Sequence, residues 1–323
     1  MNCPNRNGCL ALLLALLIAA GIAHAQTYPN KPIRLIVPFP PSGAADLVAR
    51  VVAMPLSQEL GQPIIIDNKA GADGAIAGDA LIKSAPDGYT LLFGTNTGML
   101  AAPTLRKNPP YDPLADFTPI SLVGRFGFFL FVHAGVPAKN VQELLAHVRA
   151  NPGKLNYGTG NSTSIIATAQ MVRQEKLDIV HVPYKGDAPL STDLVTGRVH
   201  MAFATPGIAL PHVKEGKLRV LATLLPARSA LVPDAPTMPE AGLSGLTITP
   251  WAALFGPAKL PREVVERAAR AMQAVLARPE VREQLGRYAF EGQSSSPEEL
   301  GAFLKEQYEV WRRTVQDVGI VRD

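Results

Sequence analysis

Short apolar runs rich in β-branched residues alternate with stretches of helical periodicity along nearly the whole chain. The runs predict strands at 33–39 (IRLIVPF), 63–67 (PIIID), 90–94 (TLLFG), 128–132 (FFLFV), 154–157 (KLNY), 178–182 (DIVHV), 198–204 (RVHMAFA), 218–223 (LRVLAT) and 251–256 (WAALFG). Between them the pattern predicts helices near 44–60, 74–84, 141–150, 163–175, 187–196 and 208–216. Such alternation implies parallel sheets covered by helices on both faces. Gly61 and Gly197 follow predicted helices where a left-handed C-cap is wanted. The tail from 261 onward reads as helix, apart from an extended piece near 289–293. Its last helix starts with Ser296 as N-cap, Pro297 at N1 and Glu299 at N3, and carries Leu300, Leu304 and Trp311 at helical spacing.

Two successive βα series in a chain of this length predict two lobes, with crossings near 120–127 and 245–252. Residues 26–124 with 251–323 would form a discontinuous first lobe and 125–250 the second, with a ligand cleft between them.

The first 25 residues change this picture at one end. Arg6, the run LALLLALLIAAGIA and the AHA before Gln26 have the form of a secretory signal cleaved after Ala25, too short to span a membrane stably. Both cysteines, Cys3 and Cys9, lie within it, so the exported chain has no thiol, disulfide or Cys-based metal site. Loss of Arg6 leaves 30 basic against 27 acidic residues, a bias too weak to imply nucleic acid. The expectation is a soluble, monomeric periplasmic protein.

Candidate chemistry sits in the strand-to-helix loops PPSGAAD (40–46), GTNTGM (94–99), GTGNSTS (158–164), PYKGDAP (183–189) and ATPG (204–207). All are small, hydroxylated or glycine-bearing and nearly free of charge. Each places uncapped N–H groups and the positive end of a helix at a sheet edge, which is an anion site. Ser42 is either a simple N-cap or a ligand donor, and Asp46 either complements the helix dipole or faces a ligand ammonium. The hydroxyl density of GTGNSTS exceeds what capping needs. Lys185 is the one cation in these loops and could close over a ligand. Arg125, among Phe126, Phe128, Phe129 and Phe131, is a candidate for pairing with a carboxylate, while the aromatic residues read as strand core. No G-x-S-x-G elbow, H-E-x-x-H spacing or P-loop occurs, and no metal or cofactor is expected.

In order along the chain, YPNKPIRLIVPFPPSGAADLVAR, NKAGADGAIAGDALIKSAPDGYTLLFGT, YDPLADFTPISLV, VPAKNVQELLAHVRANPGKLNYGTGN, DIVHVPYKG and GKLRVLAT resemble blocks of the Bug/TctC family. These are extracytoplasmic receptors of tripartite tricarboxylate transporters. The resemblance implies an α/β type II periplasmic-binding-protein fold whose two lobes clamp a small carboxylate by loop amides, hydroxyls and water. It implies two membrane subunits as partners. Carried over by position, the ligand set is Phe39, Ser42, Gly43, Ala44, Asp46, Thr95, Asn96, Thr97, Gly160, Asn161, Ser162, Thr163, Ser164, Tyr184, Ala204 and Thr205, with Arg125 and Lys185 added from the residue-level reading.

Several positions depart from the family pattern. Ser42 replaces a usual glycine, Asp73 interrupts GAGG, Ile165 and Ile166 replace polar residues, Gln170 replaces Glu, and Ala204 replaces a frequent Asp. The losses predict a less charged pocket, favouring a longer-chain or aromatic carboxylate over an amino acid. Two rival readings are an enzyme of small carboxylates, with Asp46 or His181 as base, and a sensor that presents its ligand to a membrane kinase.

Overall fold

The computed structural model describes residues 28–184, 187–246 and 248–318. The signal segment, both cysteines and Lys185 lie outside the described residues. The observed order is β1 (Ile33–Val37), α1 (Ala44–Leu60), β2 (Ile64–Asn68), α2 (Ala75–Ile82), β3 (Thr90–Thr95), β4 (Phe117–Phe126), β5 (Phe129–His133), α3 (Val141–Ala150), β6 (Asn156–Thr159) and α4 (Ser162–Gln174). It continues with β7 (Val180–Pro183), α5 (Asp187–Val195), β8 (Met201–Ala204), α6 (Pro206–Lys214), β9 (Leu218–Thr223), β10 (Trp251–Pro257), α7 (Arg262–Ala277), α8 (Pro279–Arg287), β11 (Phe290–Gly292) and α9 (Pro297–Val318).

Two sheets form, ordered β11-β4-β10-β3-β1-β2 and β7-β6-β8-β5-β9. The expected parallel pairing holds for β1 with β2 and β3, and for β6 with β7 and β8. It fails for β5 and β10, which run antiparallel to their neighbours. The reason lies in the crossings. β5 follows β4 after Gly127–Phe128, and β10 follows Pro250, so each starts at the junction and runs away from it, against strands that run towards it. The long strand β4 falls where only a crossing was expected. Pro119 weakens its strand signal, and the ladder with β10 shifts register at that point, which accommodates the missing N–H. It keeps Arg125 in the first sheet.

Sheet one is packed on both faces. Along β1, Ile33, Leu35 and Val37 face the cluster under α1 and α7, while Ile36 faces the cluster under α2 and α9, as the two-residue period of a strand requires. In sheet two the hinge-side strand β5 divides likewise, Leu130 and Val132 to one face and Phe129 and Phe131 to the other. The predicted caps form: Gly61 and Gly197 take φ of 74° and 78°, and Ser296 and Glu299 exchange side-chain-to-backbone bonds of 2.8 and 3.1 Å. Leu300, Leu304 and Trp311 of α9 are all buried against sheet one.

Ile166, although carried by α4, is buried in that same cluster with Trp251 and Trp311. Ile166, one of the two isoleucines that predicted a more apolar pocket, therefore acts elsewhere. Ile166 joins the two halves of the molecule beside the crossing, and Arg173 of α4 pairs with Asp317 of α9 at 2.5 Å. Truncating Trp311 to Ala should cost about 3–5 kcal/mol in urea unfolding. A loss below about 1 kcal/mol would show that α9 is not a wall of the core.

Candidate functional site

Three residues of the first loop have no N–H to donate. Pro38, Pro40 and Pro41 end β1, Ser42 takes a left-handed φ of 67°, and Gly43 is the N-cap of α1 without a side-chain cap. Ser42 thus stands in a conformation that suits the glycine it replaces, and its backbone rather than its hydroxyl matters. Asp46, 1% exposed, accepts from Ser42 N (2.9 Å), Arg50 Nε (2.9 Å) and Asn68 Nδ2 (2.8 Å). Asn68 also donates to Phe39 O at 3.0 Å. Burial alone would raise the Asp46 pKa, but the bonds from Arg50, Asn68 and Ser42 outweigh it and hold it below the usual carboxylate range. Asp46 is a strut of the loop, and neither it nor Ser42 or Gly43 lines a cavity. Arg50 was foreseeable from its i,i+4 spacing to Asp46.

The second loop leaves β3 at Thr95 and enters a wide π-helical turn, Thr97–Ala101, tied by Tyr111 Oη, which donates to Gly98 O at 2.6 Å. Asn96 bridges three parts of the chain: its Nδ2 donates to Thr163 Oγ1 at 2.7 Å, and its Oδ1 accepts from Trp251 N at 3.3 Å. Thr95 Oγ1 is buried and has no hydrogen-bond partner among the described residues.

In the third loop Asn161 caps α4 in a capping box with Ser164. Ser164 Oγ accepts from the N–H groups of Gly160 and Asn161, each at 3.1 Å, so Ser164 is a buried cap rather than a ligand donor. Ser162 and Thr163 remain at the surface of the gap, and their backbone N–H groups have no acceptor within the helix.

The remaining loops supply the far wall. Tyr184 Oη donates to Asp193 at 2.8 Å, and burial together with that carboxylate pushes its pKa up to about 12. Thr205 is the N-cap of α6 and makes no cap bond of its own. Ala204 is fully buried within sheet two and does not reach the gap.

Between the sheets these loops enclose linked chambers. An outer one of about 680 Å³ is lined by Phe39, Thr97, Gly160, Ser162 and Tyr184. An inner one of about 200 Å³ is lined by Ala44, Thr95, Asn96, Thr163, Asp187 and Thr205, with Phe39, Thr97 and Asn161 shared between the two. The starts of α1, α4, α5 and α6 all contribute to the inner wall. Their dipoles favour an anion.

The site differs from the expected one at two further points. Arg125 lies away from the chambers: it bonds to Gln293, stacks on Phe303 at 5.3 Å and faces Glu291 on β11. Burial lowers its pKa, with Glu291 opposing. Its place near a crossing suggests a ligand role, but alternation along β4 decides where it points. Conversely Asp187, absent from the expected ligand set, stands in the inner wall. A first-turn acid usually only complements a helix dipole, so its signal was weak. Phe126 and Phe128 are buried as expected of core residues and also face the inner chamber.

A model of the tripartite tricarboxylate transporter family receptor matches residues 48–320. The chain belongs to this receptor family. It is 33% identical over 321 residues to the protein BugT of Bordetella pertussis, covering 98% of each chain. Among solved structures it is similar to the periplasmic binding protein BugD, at 30% identity and a TM-score of 0.74, covering 92% of this chain and 100% of that one. It is equally similar in sequence, 30%, to R. palustris Rpa4515, solved with adipate, with a TM-score of 0.77 over 91% of this chain and 99% of that one. The fold of this receptor is accordingly the two-lobed α/β fold of periplasmic binding proteins.

Asp46→Asn in the receptor should cost about 1–3 kcal/mol near neutral pH. Because the folded-state pKa of Asp46 is depressed, its contribution is present above the ordinary carboxylate range and lost as the pH falls through the folded value. The deficit measured by denaturation should therefore shrink in acid, and one that is independent of pH would contradict the strut role. Thr95→Val should leave the empty receptor as stable or up to about 1 kcal/mol more stable, since it removes a buried hydroxyl without a partner. Ligand affinity measured by titration calorimetry should fall about tenfold. Unchanged affinity would take Thr95 out of the site.

Proposed function

We propose that this protein is a periplasmic receptor that captures a small carboxylate between its two lobes and delivers it to the membrane subunits of a tripartite tricarboxylate transporter. The observation that carries this is the convergence of four helix starts on one chamber between the sheets. α1 brings its start from the half built on sheet one, and α4, α5 and α6 bring theirs from the half built on sheet two. A ligand carboxylate that accepts from both halves favours the closed arrangement by its differential contacts. A dicarboxylate would bridge them with one group on each. The adipate held by the R. palustris relative is of this class.

The division into lobes follows the crossings: 251–323 and the chain from 26 to the end of β4 at Phe126, two residues beyond the expected 124, lie on one side, and the chain from there to 250 lies on the other. Export, with cleavage after Ala25, puts the receptor in the periplasm as a monomer. No helix among the described residues is long and apolar enough to cross a membrane.

The side chains that an enzyme of small carboxylates would need as base are otherwise engaged. Asp46 is held by three donors, and His181 bonds to Thr159 at 2.7 Å while stacking on Tyr157 at 4.9 Å. This favours binding over catalysis.

Residues 26–323, purified free of ligand, should be screened by thermal shift against straight-chain mono-, di- and tricarboxylates. A ligand at about 100 times its dissociation constant stabilises the fold by roughly 2.7 kcal/mol, which gives a shift of several degrees or less at this size but a readable one. A shift that peaks at one chain length among the dicarboxylates is expected. Silence across the series would overturn the carboxylate assignment.

A further inference from the structure

Asp187 brings a carboxylate into the wall of a chamber that helix starts otherwise make favourable to anions. It accepts from Asn161 Nδ2 at 2.9 Å and from Thr205 Oγ1 at 3.5 Å. Both donors are neutral, and the second is at the limit of a hydrogen bond. No Lys, Arg or His is among the described residues that line the chamber, and Asp187 is the titratable residue among them. Burial raises its pKa, which Asn161 and Thr205 offset only in part. Asp187 is half-buried, and a carboxylate drawn partly out of water without a cation beside it is costly. Asp46, by contrast, has the Arg50 guanidinium against it. Among the described lining residues there is no cation, which leaves a proton or a cation that arrives with the ligand to balance the charge of Asp187.

We propose that Asp187 is the subsite for an ammonium group, so that the ligand is an amino-carboxylate whose carboxylate faces the helix starts and whose ammonium faces Asp187. This rests on the receptor reading above and deepens it. It also reverses the expectation drawn from Ala204. Ala204 removes an acid from the end of β8, yet Thr205, the next residue, is within hydrogen-bond reach of Asp187, so a carboxylate from α5 stands beside that strand end. Phe39, Ala44, Ala45, Phe126, Phe128 and Pro250 make the rest of the wall largely apolar. In that setting a bound cation is stabilised more than in solvent, and a ligand with only carboxylates would meet a like charge.

Titration calorimetry on residues 26–323 at about pH 7 tests this with matched pairs that differ only in the amino group: aspartate and succinate, glutamate and glutarate, phenylalanine and 3-phenylpropionate. In at least one pair the amino member should bind about tenfold or more tightly than its partner. Asp187→Asn keeps an acceptor for Asn161, and it should remove that preference while leaving or improving binding of the des-amino acid. Its melting temperature, measured alongside, shows that the fold is intact.

Three results would overturn the inference. One is des-amino acids binding as tightly as their partners in every pair. Another is Asp187→Asn leaving the amino member unaffected. A third is des-amino binding that tightens as the pH falls and does so only with Asp187 present, because a protonated Asp187 would then be the donor. In each of these cases bound carboxylates leave the receptor reading standing. Failure of every compound to bind would remove both.

Discussion

The first turn of an α-helix leaves backbone N–H groups without a partner inside the helix, and in this protein four such turns face one gap. Much of the molecule can be understood as the means of holding them there. Parallel strands put the carboxyl ends of β1 and β3 on one side of the gap and those of β6, β7 and β8 on the other. The antiparallel strands β5 and β10 carry the chain between the sheets without disturbing that orientation. Each sheet is then fixed by apolar packing on both faces, so the loop ends have little freedom to drift apart.

Two polar constructions refine the geometry. Asp46 ties its own helix start to the preceding loop and to Asn68 at the end of β2, and so sets where the amides of α1 point. Asn96 links the end of β3, the backbone of Trp251 and the start of α4. The second link passes directly between the halves. Opening the gap must break the bond to Thr163 or carry Asn96 with it, while Ile166 and α9 hold the crossing side together. Closure is thus biased by contacts beside the ligand, and a ligand need supply only the difference.

Much of this was legible in the sequence because the strands are short and apolar and the loops between them unusual. The PPSG turn, the GTGNSTS start and the alternation of elements point to the sheet edges where the helix starts gather. What was misplaced depended on facts that spacing does not carry. Arg125 is one residue along a strand from facing elsewhere, and only the ladder with β10 and β11 fixes its side. Ser164 and Ser162 look alike in sequence, yet one closes a capping box and the other faces the gap. Ile166 reads as pocket lining until α9, far along the chain, is seen to pack over it. Asp187 resembled any first-turn acid until Asn161 and Thr205 were found converging on it.

A crystal structure with the tightest-binding carboxylate is the most direct measure of the central claim. The account predicts a ligand carboxylate in the inner chamber, with oxygens about 2.7–3.2 Å from backbone N–H groups, or from waters bound to them, at the starts of α1 and α4. A ligand held instead at Arg125, or lodged in the outer chamber without reaching either helix start, would contradict it.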